Sequence, residues 1–244
     1  ETLAKTPSLV SAGAESNQLR ADWTAEKITE MDKSWISKDP SMEKTVSEIE
    51  NNGLSEYLVN FINDNPAEVE VFVTDLKGLN LAMTDRTSDF LQSDEEWWKS
   101  TFSNGSGDIY IGEVEYDESS QIYAMNIGVP VLDSNTQKVI GVLRGTLDIS
   151  ILVQSLGNVK IGEAGSITLL DKNGVILYSH NPDLIMQPAP EHIQALFVAG
   201  TNGWIESTDM DGDEAILSYN LMGGEKKQAL GWELVANHKM KELY

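Results

Sequence analysis

At 244 residues, with 41% hydrophobic and 23% charged side chains, the chain can bury one large core or two small ones and reads as globular, not disordered. Its formal charge of −22, from 39 acidic against 17 basic residues, repels phosphate backbones and anionic lipid surfaces and argues against nucleic acid as a partner. Zero cysteines exclude disulfides, thiolate metal sites and a cysteine nucleophile, and His180, His192 and His238 lack the spacing of a zinc-binding pair.

The N-terminal segment is helical in pattern. Leu19, Trp23, Ile28, Met31 and Trp35 recur every three to five residues, and Met42, Val46, Ile49, Tyr57 and Phe61 carry a second stripe. Lys38-Asp-Pro-Ser41 separates them, with Asp39 or Ser41 as cap, so two long helices are expected before the first strand. Strands follow at 69–74 and 79–84 around the turn Asp75-Leu-Lys-Gly78, then a short helix near 93–102 and strands at 108–116, 122–132 and 138–147. Residues 149–156 read as a short linking helix ended by Gly157. Beyond it, strands are expected at 166–170, 175–179, 203–208, 214–219 and 232–237, with one helix beginning after Pro190 and stopping before Gly200.

The second set of strands echoes the first. The segment from Val71 to Met83 reads like that from Ile167 to Ser179, with Asp75 and Gly78 falling on Asp171 and Gly174. Gly112 to Glu115 then resembles Trp204 to Ser207, and Gly141 to Leu143 resembles Gly231 to Leu234. This spacing is too long for a solenoid and fits a duplicated domain of about 100 residues. The expected fold is α+β: a helical stalk over 1–67 and two PAS-like modules over 68–148 and 149–244, each an antiparallel sheet of about five strands with flanking helices. The stripe bearing Trp23 and Trp35 is expected to bury against both modules or against a second copy of the chain, which would make a homodimer.

Among the described motifs none is catalytic: there is no nucleophile elbow, phosphate-binding glycine loop or histidine pair, so no cofactor and no enzyme activity is expected. Asp209-Met-Asp-Gly-Asp-Glu214 resembles a calcium loop but lacks glycine and glutamate at the required positions, and a hairpin turn accounts for it. Arg86, one of three arginines, either holds a ligand or braces its loop through an ion pair; Arg144, alternating with Val142 and Thr146, is expected to face solvent or meet an acid. No run reaches the length of a membrane span, and the start lacks the basic and apolar regions of a signal peptide. Opening without methionine and stopping at what reads as the first turn of a helix, the chain is expected to be excised from a protein with flanking membrane spans.

Two helices leading into tandem PAS-like modules, with Arg86-Thr-Ser-Asp-Phe90, Asp94-Glu-Glu-Trp-Trp98, Asn126-Ile-Gly-Val-Pro-Val131 and the run from Val139 to Asp148 in that order, resemble the double Cache sensor domain. The resemblance spans nearly the whole chain and implies the extracytoplasmic, ligand-binding part of a microbial histidine kinase or chemoreceptor. In that family the membrane-distal module usually binds a small molecule, and members often pair through the long first helix. The pattern of the amino-acid-binding branch falls on Phe90, Glu95, Trp97, Trp98 and Asp148, with Glu95 standing where the family carries arginine. A glutamate there repels a ligand carboxylate, so the resemblance implies a site for an amine or quaternary ammonium compound, with Asp148 and Glu95 supplying charge and Phe90, Trp97, Trp98, Tyr110 and Tyr123 supplying ring faces. Another small polar ligand, or a ligand-free dimerisation module, are the alternatives. Adjacent Trp97 and Trp98 cannot both face one pocket, so at least one belongs to the core.

Overall fold

The computed structural model describes residues 1–117, 122–198, 202–221 and 230–242, and these form two compact units, Glu1–Asp148 and Ile149–Tyr244. Four helices, not two, open the first unit: α1 (Pro7–Leu19), α2 (Ala25–Ile36), α3 (Glu43–Glu50) and α4 (Gly53–Asp64). Thr24 caps α2 by accepting from Lys27 N, and Asp39 Oδ1 accepts from Ser41 N at 2.8 Å to start the 3-10 turn Pro40–Met42. The unforeseen break lies at Asn51 and Asn52. Asn52 Oδ1 accepts from Leu54 N and Ser55 N at 3.0 and 2.9 Å, which starts a new helix inside the second apolar stripe.

That break has a packing cause. The first sheet comprises β1 (Glu68–Asp75), β2 (Asn80–Met83), β3 (Tyr110–Asp117), β4 (Ile122–Leu132) and β5 (Val139–Asp148), all antiparallel in the order β2-β1-β5-β4-β3. Successive side chains point to opposite faces. Val71, Val73, Leu143, Val129 and Val131 pack against Leu9 of α1 and Leu54 and Leu58 of α4. Phe72 and Val142 face the other way and meet Ile28 and Trp35 of α2, Val46 and Ile49 of α3, and Trp97 and Trp98 of α5 (Glu96–Phe102). The turn at Asn51 and Asn52 therefore sends α3 and α4 to opposite sides of one sheet. Trp35, taken above for a contact beyond one module, is 1% exposed inside this unit, stacked on Phe90 at 5.3 Å.

After α6 (Ile149–Val153), the second unit repeats the plan with β6 (Ile167–Leu170), β7 (Ile176–Tyr178), β8 (Gly203–Thr208), β9 (Glu214–Leu221) and β10 (Glu233–Lys239) in the order β7-β6-β10-β9-β8. Position by position this is the first order again, so the echoes found in the sequence are equivalent strands. The helix expected after Pro190 is one turn, α7 (Glu191–Gln194), continued by a 3-10 turn; with Ile193 and Phe197 it covers a core of Leu170, Ile176, Ala215, Leu217 and Val235. The chain end expected to begin a helix instead extends β10 to Lys239, followed by a 3-10 turn over Met240–Glu242.

One turn chemistry recurs three times. Asp75 Oδ1 accepts from the backbone N–H groups of Lys77 and Leu79; Asp171 Oδ1 does so from Asn173 and Val175, and Asp209 Oδ1 from Asp211 and Asp213. Each is followed by a glycine with φ of 78°, 76° or 87°, a conformation that favours glycine. The calcium-like segment is the third of these turns. Its place for a cation is filled by Lys239, whose Nζ lies 3.0 Å from Asp209, 3.6 Å from Asp211 and 2.6 Å from Asp213.

Candidate ligand site on the first sheet

Alternation along β5 puts Val142, Arg144, Thr146 and Asp148 on the face that α5 covers. The register brings Phe72 and Gly128 beside Arg144, Glu70 and Asn126 beside Thr146, and Ala124 beside Asp148. Gly128 lets α5 approach: a Cβ there would stand 2.0 Å from Thr101 Oγ1. Trp98 and Trp97 then divide the labour. Trp98 Nε1 donates to Thr74 Oγ1 at 2.8 Å and its ring stacks on Phe102, which fixes it in the core. Trp97 stands edge-on to Phe72 at 5.6 Å, beside Arg144, whose guanidinium carbon lies 5.3 Å from the Trp97 ring and 5.4 Å from Phe72.

Polar groups gather around that arginine. Arg144 Nη1 is 4.0 Å from Glu70 Oε2, and Thr146 Oγ1 lies 2.9 Å from Asn126 Oδ1 and 3.4 Å from Glu70 Oε2. Asp148 is 6% exposed, and its backbone N–H donates to Ala67 O at 2.8 Å, tying the end of β5 to the start of β1. Face and partners thus bring Asp148, Trp97 and Arg144 to one side of the sheet, with half-buried Tyr110 opposite Gly128 on β3.

The remaining candidates go elsewhere. Tyr123 neighbours Ala124 on β4, so the pleat turns it to the opposite face, where its ring lies 5.1 Å from that of Tyr116. Phe90 is fully buried between Trp35 and the Arg20 guanidinium. Arg86 donates from Nη2 to Trp35 O at 2.9 Å, pairs with Glu43 at 3.4 Å and lies over the Trp35 ring, which is the bracing alternative. Glu95 precedes α5 with its side chain exposed and caps nothing. Arg144 meets an acid as expected, but from the inner face rather than from solvent. Asp148 and Arg144 share strand parity, so the sequence held the signal that would have placed them together.

Equivalent registers in the second unit show the same positions filled differently. Val235 pairs with Thr168 and Tyr219 as Arg144 pairs with Phe72 and Gly128, and Asn237 and Lys239 stand where Thr146 and Asp148 stand. Val235 is buried in the core, and Tyr219 closes on Phe197 at 5.8 Å. Elsewhere, a cleft of about 610 Å³ runs between α1, α2 and α3, with Leu19, Arg20, Trp23 and Lys27 on its walls, and one of about 460 Å³ lies in the second unit beside Lys160, Tyr178 and His180. Arg20 is already committed to Asp75 at 2.9 Å and Lys27 to the Trp23 ring at 3.7 Å. The converging polar groups under α5 therefore make the stronger candidate.

No curated protein matches the chain in sequence. Among solved structures, the extracellular domain of rpHK1S-Z16, described as a histidine kinase, is 14% identical with a TM-score of 0.59, covering 99% of this chain and 92% of its own. The periplasmic sensory domain of the Campylobacter jejuni chemoreceptor Tlp1 is 14% identical with a TM-score of 0.56, over 96% and 93%. The ligand-binding domain of the Pseudomonas aeruginosa amino acid chemoreceptor PctB, solved with L-Arg, is 17% identical with a TM-score of 0.53, over 90% and 96%. The first two of these neighbours are an extracellular and a periplasmic sensory domain, and no helix among the described residues is long and apolar enough to cross a membrane. Residues 13–244 match the double Cache family dCache_1, and with both sheets wound in one strand order the chain belongs to the Cache domain family.

Proposed function

We propose that this chain is the extracytoplasmic ligand-binding domain of a membrane receptor, of histidine kinase or chemoreceptor type, and that its first module, over 68–148, binds a small amine-bearing solute under α5. The observation that carries this reading is the placement of buried Asp148 on the α5-covered face with Trp97. Asp148 supplies the negative charge for an ammonium or quaternary ammonium group. The PctB complex with L-Arg supports a ligand with cationic nitrogen. Residues 1–67 form the helical stalk, 149–244 are the membrane-proximal module, and membrane spans flank the domain in the full protein. Because Asp148 runs directly into α6 at Ile149, a ligand that pulls on the end of β5 pulls on the linker. It signals only in so far as it binds the two arrangements unequally.

A thermal-shift panel of amines, betaines, amino acids and carboxylates on wild type and Asp148→Ala tests this. A compound at 100 times its dissociation constant stabilises the native state by about 2.7 kcal/mol. The expected result is a shift with amine-bearing compounds that Asp148→Ala removes; shifts from carboxylates alone contradict it. A second reading, a dimerisation module without ligand, draws on Leu19 and Ile36, which are 70% and 56% exposed on the first two helices. It predicts silence across the panel and a dimer in sedimentation that Leu19→Glu dissociates.

A further inference from the structure

We propose that Asn237 is a positioning residue that makes the entry and the exit of the second unit move as one, so that a displacement arriving through α6 reaches the end of β10 without passing through the hydrophobic core. The inference lies outside the ligand site and rests on the reading that a ligand in the first module acts on α6. Topology brings the two ends together. β6, the first strand after α6, lies beside β10, the last, and the two run antiparallel with Ile167 opposite Ala236. The start of β6 therefore stands next to the end of β10. The turn from β8 to β9 comes to the same end of the sheet, because Ala215 at the start of β9 pairs with Lys239.

Side chains join these three segments in one chain of hydrogen bonds. Asn237 Oδ1 accepts from the backbone N–H of Ser166 and, at 3.2 Å, from its hydroxyl, while Asn237 Nδ2 donates to Asp209 Oδ2 at 2.9 Å. The same carboxylate oxygen lies 3.0 Å from Lys239 Nζ. Asn237, Asp209 and Lys239 are all buried. The other oxygen of Asp209 is spent on the turn N–H groups of Asp211 and Asp213, so it offers no spare acceptor if Asn237 lets go. The role needs an amide, which presents an acceptor to Ser166 and a donor to Asp209 from one plane. A carboxylate in its place would meet Asp209 charge against charge, and an aliphatic side chain would serve neither partner.

Burial makes the chain cooperative. Away from water, losing one partner leaves the next donor or acceptor unsatisfied, so the links hold or open together. The backbone adds a second hold at the same point, since Asn237 N–H donates to Ser166 O at 2.9 Å. The entering segment is pressed onto β10 without slack: a Cβ on Gly165 would stand 2.4 Å from Asn237 O and 2.3 Å from Ile161 O. Thr146, at the equivalent register of the first unit, turns its hydroxyl to Asn126 and Glu70 within the inner face instead. The side-chain bridge from entry to exit through a turn aspartate is therefore built on a residue that the first unit does not carry at this place.

Residue-resolved hydrogen exchange on the 244-residue chain, without ligand, tests this by disturbing one end of the bridge and reading the other. The reporter is the Ser166 amide, which donates to the Asn237 side chain, and its rate is taken relative to the central amides of β6 and β9. Lys239→Gln is expected to raise that ratio at least tenfold, and Lys239→Arg, which keeps the charge, to restore at least part of the protection. Leu217→Ala, which loosens the core, is expected to speed all these amides alike and leave the ratio unchanged. In Asn237→Leu the ratio is high from the start and Lys239→Gln no longer moves it. Because the reading is a ratio within one folded chain, it does not depend on the absolute stability of any variant. A Ser166 ratio unmoved by Lys239→Gln, or moved equally by Leu217→Ala, overturns the role of Asn237. Either result leaves the ligand-site reading standing, since no ligand enters the experiment.

Discussion

The two modules have one strand order and one hairpin-turn chemistry, yet they spend the same positions on opposite ends. In the first, the inner face of the last strand carries Arg144, Thr146 and Asp148 beneath a helix seated on Gly128. In the second, the matching places hold Val235, Asn237 and Lys239, with Tyr219 in place of glycine. The second sheet is packed shut against Phe197, and its terminal charge is reversed and neutralised by the turn carboxylates. At equivalent registers the second module thus has Val235 and Tyr219 where the first has Arg144 and Gly128, so the same strand order carries differently filled inner faces.

Moving a first-module residue into the second gives the sharpest break. Val235→Arg buries a guanidinium among Leu170, Ile176 and Leu217 and should cost the second unit about 3–5 kcal/mol, read by urea denaturation. Unchanged stability would mean that the second core is not closed. Lys239→Met should follow at about 3 kcal/mol, because Asp209 is 1% exposed and would lose its ammonium partner. Rescue by Asp209→Asn in the same background would confirm the cause. Gly128→Ala drives a methyl group into Thr101 and should cost the first unit about 1–3 kcal/mol, with Thr101→Ala relieving it.

The smallest effect depends on pH. Glu233, where the first module has the fully buried Val142, has its pKa pushed up to about 7 by burial and then by the charge of Asp171. A folded pKa above the unfolded value means that the native state holds a proton that the unfolded chain has released. The penalty is therefore present in full above about pH 7 and disappears as pH falls toward the ordinary value of 4.5. Glu233→Gln should raise stability by about 1 kcal/mol at pH 8, after discounting for solvent screening, and leave it unchanged at pH 4. A gain of equal size at both pH values would assign it to packing.

Alternation and the Asp-x-x-Gly turns made both sheets legible from the sequence, because a residue's face follows from parity once the turn is anchored. The helical region was less so. Phe61 and Ile49 read as one stripe, and nothing in their spacing tells that Asn52 restarts the helix so that they pack in clusters on opposite faces of the sheet. Motif order brings Asp148 and Trp97 into the candidate site, whereas a parity check against Ala124 is what puts Tyr123 on the other face. The consecutive tryptophans sit about 100° apart on a helix of fewer than two full turns and both are buried, but what sets Trp98 apart is the Thr74 hydroxyl its indole donates to, a partner no local pattern reveals.

Hydrogen exchange with and without a saturating concentration of the amine that gives the largest shift in the thermal panel tests most directly whether the first module alone holds the ligand. Slower exchange confined to α5 and β5, residues 96–102 and 139–148, is the predicted result. Protection appearing instead around 156–180 in the second unit, or along the cleft of α1 to α3, would contradict it.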